Sequence, residues 1–472
     1  MRRAVLFSVF SGGAVAAALA VAGTVPGRPA SHRPAALTGP AGSLEGPRVV
    51  EYRGLRVPVP AGWEVHRLDR DPARCVRYDR HAVYLGRPGP QPDCPARVVG
   101  RTEAVHIEPA GDGRAARTVV RGDKLASLVV APTVDHETRL ALPEAGVTIT
   151  GVYGSDPGRL QRMLRGARLS ASWTAAPRLS AAPPGSDVRR MATTTPEAPD
   201  QSAPLAESTP RVPDTPFGQS TPSEAGAADG AGAAPGNGTV PDQALERPWV
   251  RGKGFDTCTA PSLATMKAWR PSFKVTNIYI GGAARGCAQP NLTASWVKQV
   301  RRMGYRITPT YVGLQAPCGS RPQRFTAKNA ASEGARSAVD AARKARALGI
   351  PDGRPIYFDM EAYNHKKSAC KAAVLRFVDK WVDRLQAEGY QPCLYSSAKS
   401  GIRDVGRAQI SRPACVWFAN WDGRADVYGD PFLPDHWWSP HRRIKQYRGA
   451  HKERHGGVRL NIDSNIVDGR VY

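Results

Sequence analysis

Residues 249–472 of this sequence predict an α/β fold, a (β/α)8 TIM-like barrel, and three observations lead there. Short β-type apolar runs alternate with stretches of helical period, helix stop signals close the crossovers, and polar residues sit at the last positions of the apolar runs. The competing architecture for such a pattern is an open doubly wound sheet.

The elements follow in order. "KGFDTC" is a short strand, and a helical stretch then runs from Pro261 through Met266 and Trp269. "VTNIYIGG" is the second strand, and "TASWVKQVRRMG" is a helix stopped by Gly304. After the third strand, "RITPTYVG", residues 326–348 place Ala331, Ala335, Ala338, Ala342, Ala345 and Leu348 at helical spacing, closed by Gly349 and Pro351. "PIYFDMEAY", residues 355–363, carries the fourth strand, and a helix over 368–388 follows with Leu375, Val378, Val382 and Leu385 on one face and Gly389 as its stop. "QPCLYSS", "CVWFANW", "RIKQY" and "VRLNID" complete eight strands, with weaker helix signals between the later ones.

The rest of the chain divides by composition. Residues 1–30 open with Arg2 and Arg3 ahead of an apolar run and small residues, the pattern of an export signal, twin-arginine in type, or of a membrane anchor if left uncleaved. Residues 43–175 alternate short β-rich runs such as "RVVEYRGLRVPVP", "HAVYLG", "RTEAVHIEPA", "SLVVAPTV" and "AGVTITGVYG" with turn residues, which predicts a small, mostly β domain. Residues 176–248 are Pro, Ala, Ser, Thr and Gly with almost no large apolar side chain, the composition of a disordered, flexible linker.

Charge and cysteines bound the function. The formal charge of +25 favours polyanions such as anionic wall polymers, and "PHRRIKQYRGAHKER" at 440–454 is a basic cluster suited to them. No zinc finger, helix-turn-helix signature or aromatic RNA-binding strand pair is present, so no nucleic-acid partner is expected. Of the eight cysteines, Cys75 and Cys94 lie in the first folded region and Cys258, Cys287, Cys318, Cys370, Cys393 and Cys415 in the last, which predicts disulfides confined within regions and an exported, secreted or wall-associated protein. No cysteine or histidine spacing forms a zinc site and no loop has a calcium series, so neither a metal nor another cofactor is expected.

Active sites of barrels gather at the carboxyl ends of the strands. There this sequence places Asp256, then Asp359 and Glu361, Tyr395, Asn420 and Trp421, Gln446, and Asp463. In an extended chain residues i and i+2 share one face about 6.5–7 Å apart, so Asp359 and Glu361 point together. Closure brings the first strand against the eighth, and with them Asp256 against Asp463. Four gathered carboxylates cannot all ionise cheaply, so at least one is expected to keep its proton, as a general acid requires. Such a set suits cleavage of a glycosidic bond, with Glu361 as acid, Asp359 orienting an acetamido group or stabilising positive charge, Asp256 in support, and Tyr395 and Trp421 stacking on sugar faces. Asp256 has a second reading, as the cap of the helix that follows it.

"GFDTCTAPS", "IYIGG", "TPTYVGLQ", "IYFDME", "LYSS", "FANW", "KQY" and "NIDSN" resemble, in that order, the glycoside-hydrolase-like domain of exported actinobacterial proteins, over residues 252–472. That domain is similar to the lysozymes of glycoside hydrolase family 25. The resemblance implies a barrel with Asp256 as the first-strand acid, Asp359 and Glu361 as the catalytic pair, Gln446 in the Gln-Tyr motif and Asp463 as the late acid. The chitinase pattern D-x-D-x-E is also similar, but its first acid would fall on Tyr357. Two functions follow as expectations: a secreted hydrolase of amino-sugar glycans such as peptidoglycan, or a non-catalytic cell-wall carbohydrate-binding protein that retains the barrel.

Overall fold

The computed structural model describes residues 48–111, 118–171 and 248–472. The export signal and the linker expected from the sequence lie outside the described residues.

In the amino-terminal part, β1 (Arg48–Tyr52) and β2 (Leu55–Val59) form a hairpin that β9 (Arg168–Leu169) extends to three strands. A second sheet has the order β3-β4-β5-β8-β7-β6, from β3 (Glu64–Arg67), β4 (Ala82–Leu85), β5 (Ala104–Pro109), β6 (Thr118–Val119), β7 (Glu137–Leu142) and β8 (Val147–Val152). Helix α1 (Gly158–Arg165) buries Leu160, Met163 and Leu164 in the core between them. Several details differ from the sequence expectation. "SLVVAPTV" is irregular, following a 3-10 turn at Gly122–Ser127, because Pro132 removes a ladder donor. Strands β3, β6, β7 and β9 and helix α1 were not expected.

The carboxyl-terminal strands close into an eight-stranded barrel of β10 (Trp249–Asp256), β11 (Val275–Gly281), β12 (Arg306–Tyr311), β13 (Pro355–Asp359), β14 (Gln391–Ser397), β15 (Cys415–Ala419), β16 (Arg443–His455) and β17 (Val458–Arg470). Helices α2 (Leu263–Trp269), α3 (Ala294–Arg302), α4 (Ala330–Ala347), α5 (Ser368–Ala387) and α6 (Arg403–Arg407) occupy the first five crossovers. Ser262 and Thr293 cap α2 and α3 by accepting from the backbone N–H groups of Thr265 and Trp296, so the capping role considered for Asp256 belongs to Ser262. Gly334 lets α4 lie close on α5, since a Cβ there would fall 2.2 Å from the Phe377 carbonyl oxygen.

The barrel departs from an all-parallel (β/α)8 barrel at its last strand. Neighbours from β10 to β16 run parallel, but β17 runs antiparallel to both β16 and β10. The cause is local: Gly456 and Gly457, at φ 53° and 79°, make a two-residue turn, and so short a connection can only join antiparallel strands. No helix separates β16 from β17, and residues 420–442, between β15 and β16, are turns and bends.

Four disulfides join Cys75 to Cys94, Cys258 to Cys287, Cys318 to Cys370 and Cys393 to Cys415, each within its own region as the sequence predicts. This usage is that of proteins folded in oxidising, extracellular compartments. Among the described residues no helix is long and apolar enough to cross a membrane.

The described residues belong to one compact unit spanning Glu45–Tyr472, so the β-rich region is docked on the barrel. Backbone bonds seam the two: Tyr78 N–H to Gly286 O at 2.8 Å, Ala288 N–H to Val76 O at 3.0 Å and Gly100 N–H to Ala284 O at 2.7 Å. Beneath the seam, buried Glu137 of β7 accepts from Arg101 at 3.2 Å and from Arg285 of the barrel at 3.0 Å. Burial works to raise its carboxyl, but Arg285 and Arg101 outweigh burial and hold it well below the usual range.

Candidate active site

The acids converge at one end of the barrel. Asp256 ends β10 and lies directly opposite Asp463 in the antiparallel β10–β17 ladder. Because β17 runs backwards, Asp463 reaches the mouth from the first half of its strand rather than from its end, which corrects the strand-end placement expected for it. Asp359 is the last residue of β13, and Glu361 lies just past the strand, where Gln315 Oε1 accepts from its backbone N–H at 2.7 Å. The same Gln315 donates to the Asp359 carbonyl at 2.7 Å, so one side chain sets the positions of both acids.

Gln446 organises the other half of the site. Its Nε2 donates to both oxygens of Asp256 at 3.2 and 3.1 Å and to Asp463 Oδ2 at 3.2 Å. Its Oε1 accepts from the Tyr395 hydroxyl at 3.0 Å and from the Trp421 indole at 2.9 Å. Asn465 donates to Asp256 at 2.7 Å, and Asn465 is fixed in turn by the Trp417 indole at 2.8 Å. Trp421 is 63% exposed at the rim, its ring flat over Gly449, where a Cβ would come within 3.1 Å. Asn420, by contrast, turns out of the ring and donates to Asp430 at 2.8 Å.

The surprise is in the middle. Arg97, from the β-rich region, enters the mouth with its side chain only 11% exposed. Its guanidinium donates to both oxygens of Asp359 at 3.0 and 3.1 Å, pairs with Glu361 and the Tyr395 hydroxyl, and lies 4.3 Å over the Tyr395 ring. Arg321 holds the second oxygen of Glu361 at 2.7 Å.

These neighbours sort the protons. Burial pushes Asp359 up to about 8, with Glu361 adding to it and Arg97 opposing. Burial, aided by Asp256, likewise pushes Asp463 up to about 8. Asp256 is raised by burial against the lowering pull of Arg97 and the donors of Asn465 and Gln446. At Glu361 burial is outweighed by the charges of Arg97 and Arg321, and the carboxyl stays below its usual range. The order is the reverse of the expectation: Glu361, expected as the protonated acid, is the group its neighbours favour as a carboxylate, whereas Asp359 and Asp463 are pushed toward keeping their protons.

The sequence reasoning missed Arg97, Arg321, Gln315, Asn465 and Tyr279, whose hydroxyl reaches Asp256 at 3.4 Å. Tyr279, Gln315 and Asn465 stand inside the short motifs already singled out. Arg97 and Arg321 have no such local signal. The basic cluster at 440–454 is partly used internally: buried Arg443 donates to the backbone carbonyls of Trp437 and Val427, and buried Lys445 pairs with Asp422 at 2.9 Å. Arg448, Lys452 and Arg454, half of its Lys and Arg residues, are exposed.

Among solved structures, the chain is similar to an uncharacterized B. stearothermophilus protein (20% identity, TM-score 0.33, 47% of this chain and 99% of that one). It is similar also to the Mycobacterium tuberculosis Tat-secreted protein Rv2525c, solved with HEPES (16% identity, TM-score 0.32, 46% of this chain and 93% of that one). A third is the modular autolysin LytC from Streptococcus pneumoniae (13% identity, TM-score 0.31, 45% of this chain and 46% of that one). No curated protein matches the sequence. Residues 267–467, which hold Asp359, Glu361, Gln446 and Asp463 and stop short of Asp256, match the family model of the Rv2525c-like, glycoside hydrolase-like domain.

Proposed function

We propose that the barrel is a secreted glycoside hydrolase of amino-sugar glycans, peptidoglycan being the substrate that fits its chemistry. The observation that carries this reading is the convergence of Asp256, Asp359, Glu361 and Asp463 on one mouth, buried enough that some keep their protons. The glycoside hydrolase-like family match supports it.

In this mechanism Glu361, nearest the rim, protonates the leaving oxygen. It takes up that role when Arg97 withdraws, because the carboxyl then loses a charge that holds it ionised. Asp359, deeper and protonated, donates to an acetamido oxygen or, once ionised, stabilises positive charge on the ring. Asp256 and Asp463, tied by Gln446, keep that floor in register. Tyr395 and Trp421 offer faces to sugars on either side of Gln446. Residues 1–30 would act as the export signal, delivering the barrel to the wall.

The test is release of reducing ends from purified peptidoglycan. The hydrolase reading expects Glu361→Gln to lower release by about 10²–10⁴-fold, the usual contribution of a general acid. Equal rates would remove Glu361 from the chemistry. A second reading, a non-catalytic wall-glycan binder, is favoured by Arg97 keeping both acids engaged while Trp421 stays exposed at the rim, outside the filled mouth. Its outcome is wall binding that survives both Asp359→Asn and Glu361→Gln, with no release by any chain.

A further inference from the structure

We infer that the β-rich region is an intramolecular inhibitor of the barrel, with Arg97 occupying the position where the glycan must bring its scissile bond. The inference rests on the glycosidase reading for its enzymatic arm and on geometry alone for its structural arm.

Three observations carry it. Arg97 makes the contacts a substrate would need: it covers the Tyr395 ring, holds both oxygens of Asp359 and takes one oxygen of Glu361, leaving the other to Arg321. A sugar cannot stack on Tyr395 or approach either acid while the guanidinium is there.

Second, the segment that carries Arg97 is pinned on both sides. Before it, Cys94 is bonded to Cys75 and its sulfur lies 3.2 Å from the Thr259 hydroxyl of the barrel, beside the Cys258–Cys287 bridge. Further back, Gln91 accepts from the Ser262 N–H at 3.0 Å. After it, Val99 pairs with Arg285, and Arg101 N–H donates to Gln323 at 2.6 Å. A chance surface arginine would have no such anchorage.

Third, the arginine leaves the acid pair in the wrong state for acid catalysis, since Glu361 is kept ionised beside two guanidinium groups. An arginine serving the reaction would not be expected to neutralise the group that must give up a proton. An intramolecular competitor lowers apparent activity by the fraction of time the mouth is open, so a mouth open about 1–10% of the time leaves a gain of about ten- to a hundredfold for any change that removes the plug.

The experiment uses the full chain as wild type, Arg97→Ala, and Arg97→Ala combined with Glu361→Gln. Without the guanidinium, Glu361 keeps Arg321 as a partner and can take up a proton, and Asp359 is already raised, so the fold is expected to survive. Thermal unfolding checks this, and Arg97→Gln, which retains a donor for the Tyr395 hydroxyl, stands in should the alanine variant misfold. Two readouts are taken: reaction of Glu361 with a water-soluble carbodiimide and taurine, located by peptide mass spectrometry, and reducing-end release from peptidoglycan. Removing Arg97 is expected to raise Glu361 labelling and glycan release by about tenfold or more, and Glu361→Gln in the same chain to abolish the release. Labelling that rises while no chain releases glycan upholds the plug and defeats the glycosidase reading. Equal labelling of Glu361 with and without Arg97, or a wild type that releases glycan faster than the Arg97 variants, overturns the inference.

Discussion

Asp463→Asn is expected to make the protein more stable as pH rises, and the effect can be sized from the structure. Asp463 faces Asp256 across the β10–β17 ladder and shares the Gln446 donor with it. Burial and the Asp256 charge raise its folded-state pKa from 3.8 to about 8. With a raised folded pKa, the stability linked to this group is whole below the unfolded value and is lost as pH climbs toward the folded one. Between about pH 4 and 8 the folded state keeps a proton that the unfolded state has released, so unfolding free energy falls by about 1.4 kcal/mol per pH unit from this one group. Asparagine has no proton to lose and its amide can donate to Asp256 as the protonated carboxyl does. Between pH 5 and 7 the variant should therefore gain about 2.7 kcal/mol on the wild type. Titrating groups remote from the ring, among them His136, which burial lowers to about 4, are common to both chains and cancel in the difference, and Asp256 keeps a donor from the asparagine in place of the protonated carboxyl. Urea unfolding of both chains at pH 5, 6 and 7 measures the quantity. Parallel stability profiles would mean that Asp463 is ionised in the folded protein, and the proton assignment of the whole ring would fall with it.

Two further outcomes concern the scaffold. Glu137→Gln strips the shared partner from buried Arg101 and Arg285 at the seam between the β-rich region and the barrel, which should cost about 3–5 kcal/mol in urea unfolding; a loss under about 1 kcal/mol would contradict a desolvated ion cluster there. Replacing Cys318 and Cys370 by Ser opens a bridge with a sequence separation of 52, worth about 4 kcal/mol by chain entropy, and an unchanged urea midpoint under oxidising conditions would show that the bridge does not constrain the unfolded chain.

How much of this was legible in the sequence depended on how local each cause is. The helices α4 and α5 declared themselves through alanines and branched residues at helical spacing and through Gly349 and Gly389 at their ends. The strands of the barrel were legible as apolar runs, and the convergence of Asp256 with Asp463 followed from closure. The direction of β17 was missed although its signal was present: the Gly456-Gly457 pair between two alternating runs is a hairpin turn, and reading "RIKQY" as a complete strand hid it. Arg97 was not legible in any local sense. It sits among Pro95, Ala96 and Val98, in no periodic element, and its partners Asp359 and Glu361 are 262 and 264 residues away. With it went the proton assignment, since Glu361 reads as an acid by motif and is favoured as a carboxylate by two guanidinium groups, Arg97 from another region of the chain and Arg321 from a barrel loop, neither with a local signal.

The pairing of β10 with β17 has a consequence for the newly made polypeptide. Asp256 receives a donor from Asn465, 209 positions later, so the floor of the mouth is assembled from the first and last staves of the barrel. Contacts so far apart in sequence form late and slowly. A polypeptide that is still emerging, or that has lost its last strand to a protease, holds Asp359 and Glu361 but has nothing to set against Asp256, and its ring of acids is incomplete. Completion of the staves is thus itself the event that gathers the four acids.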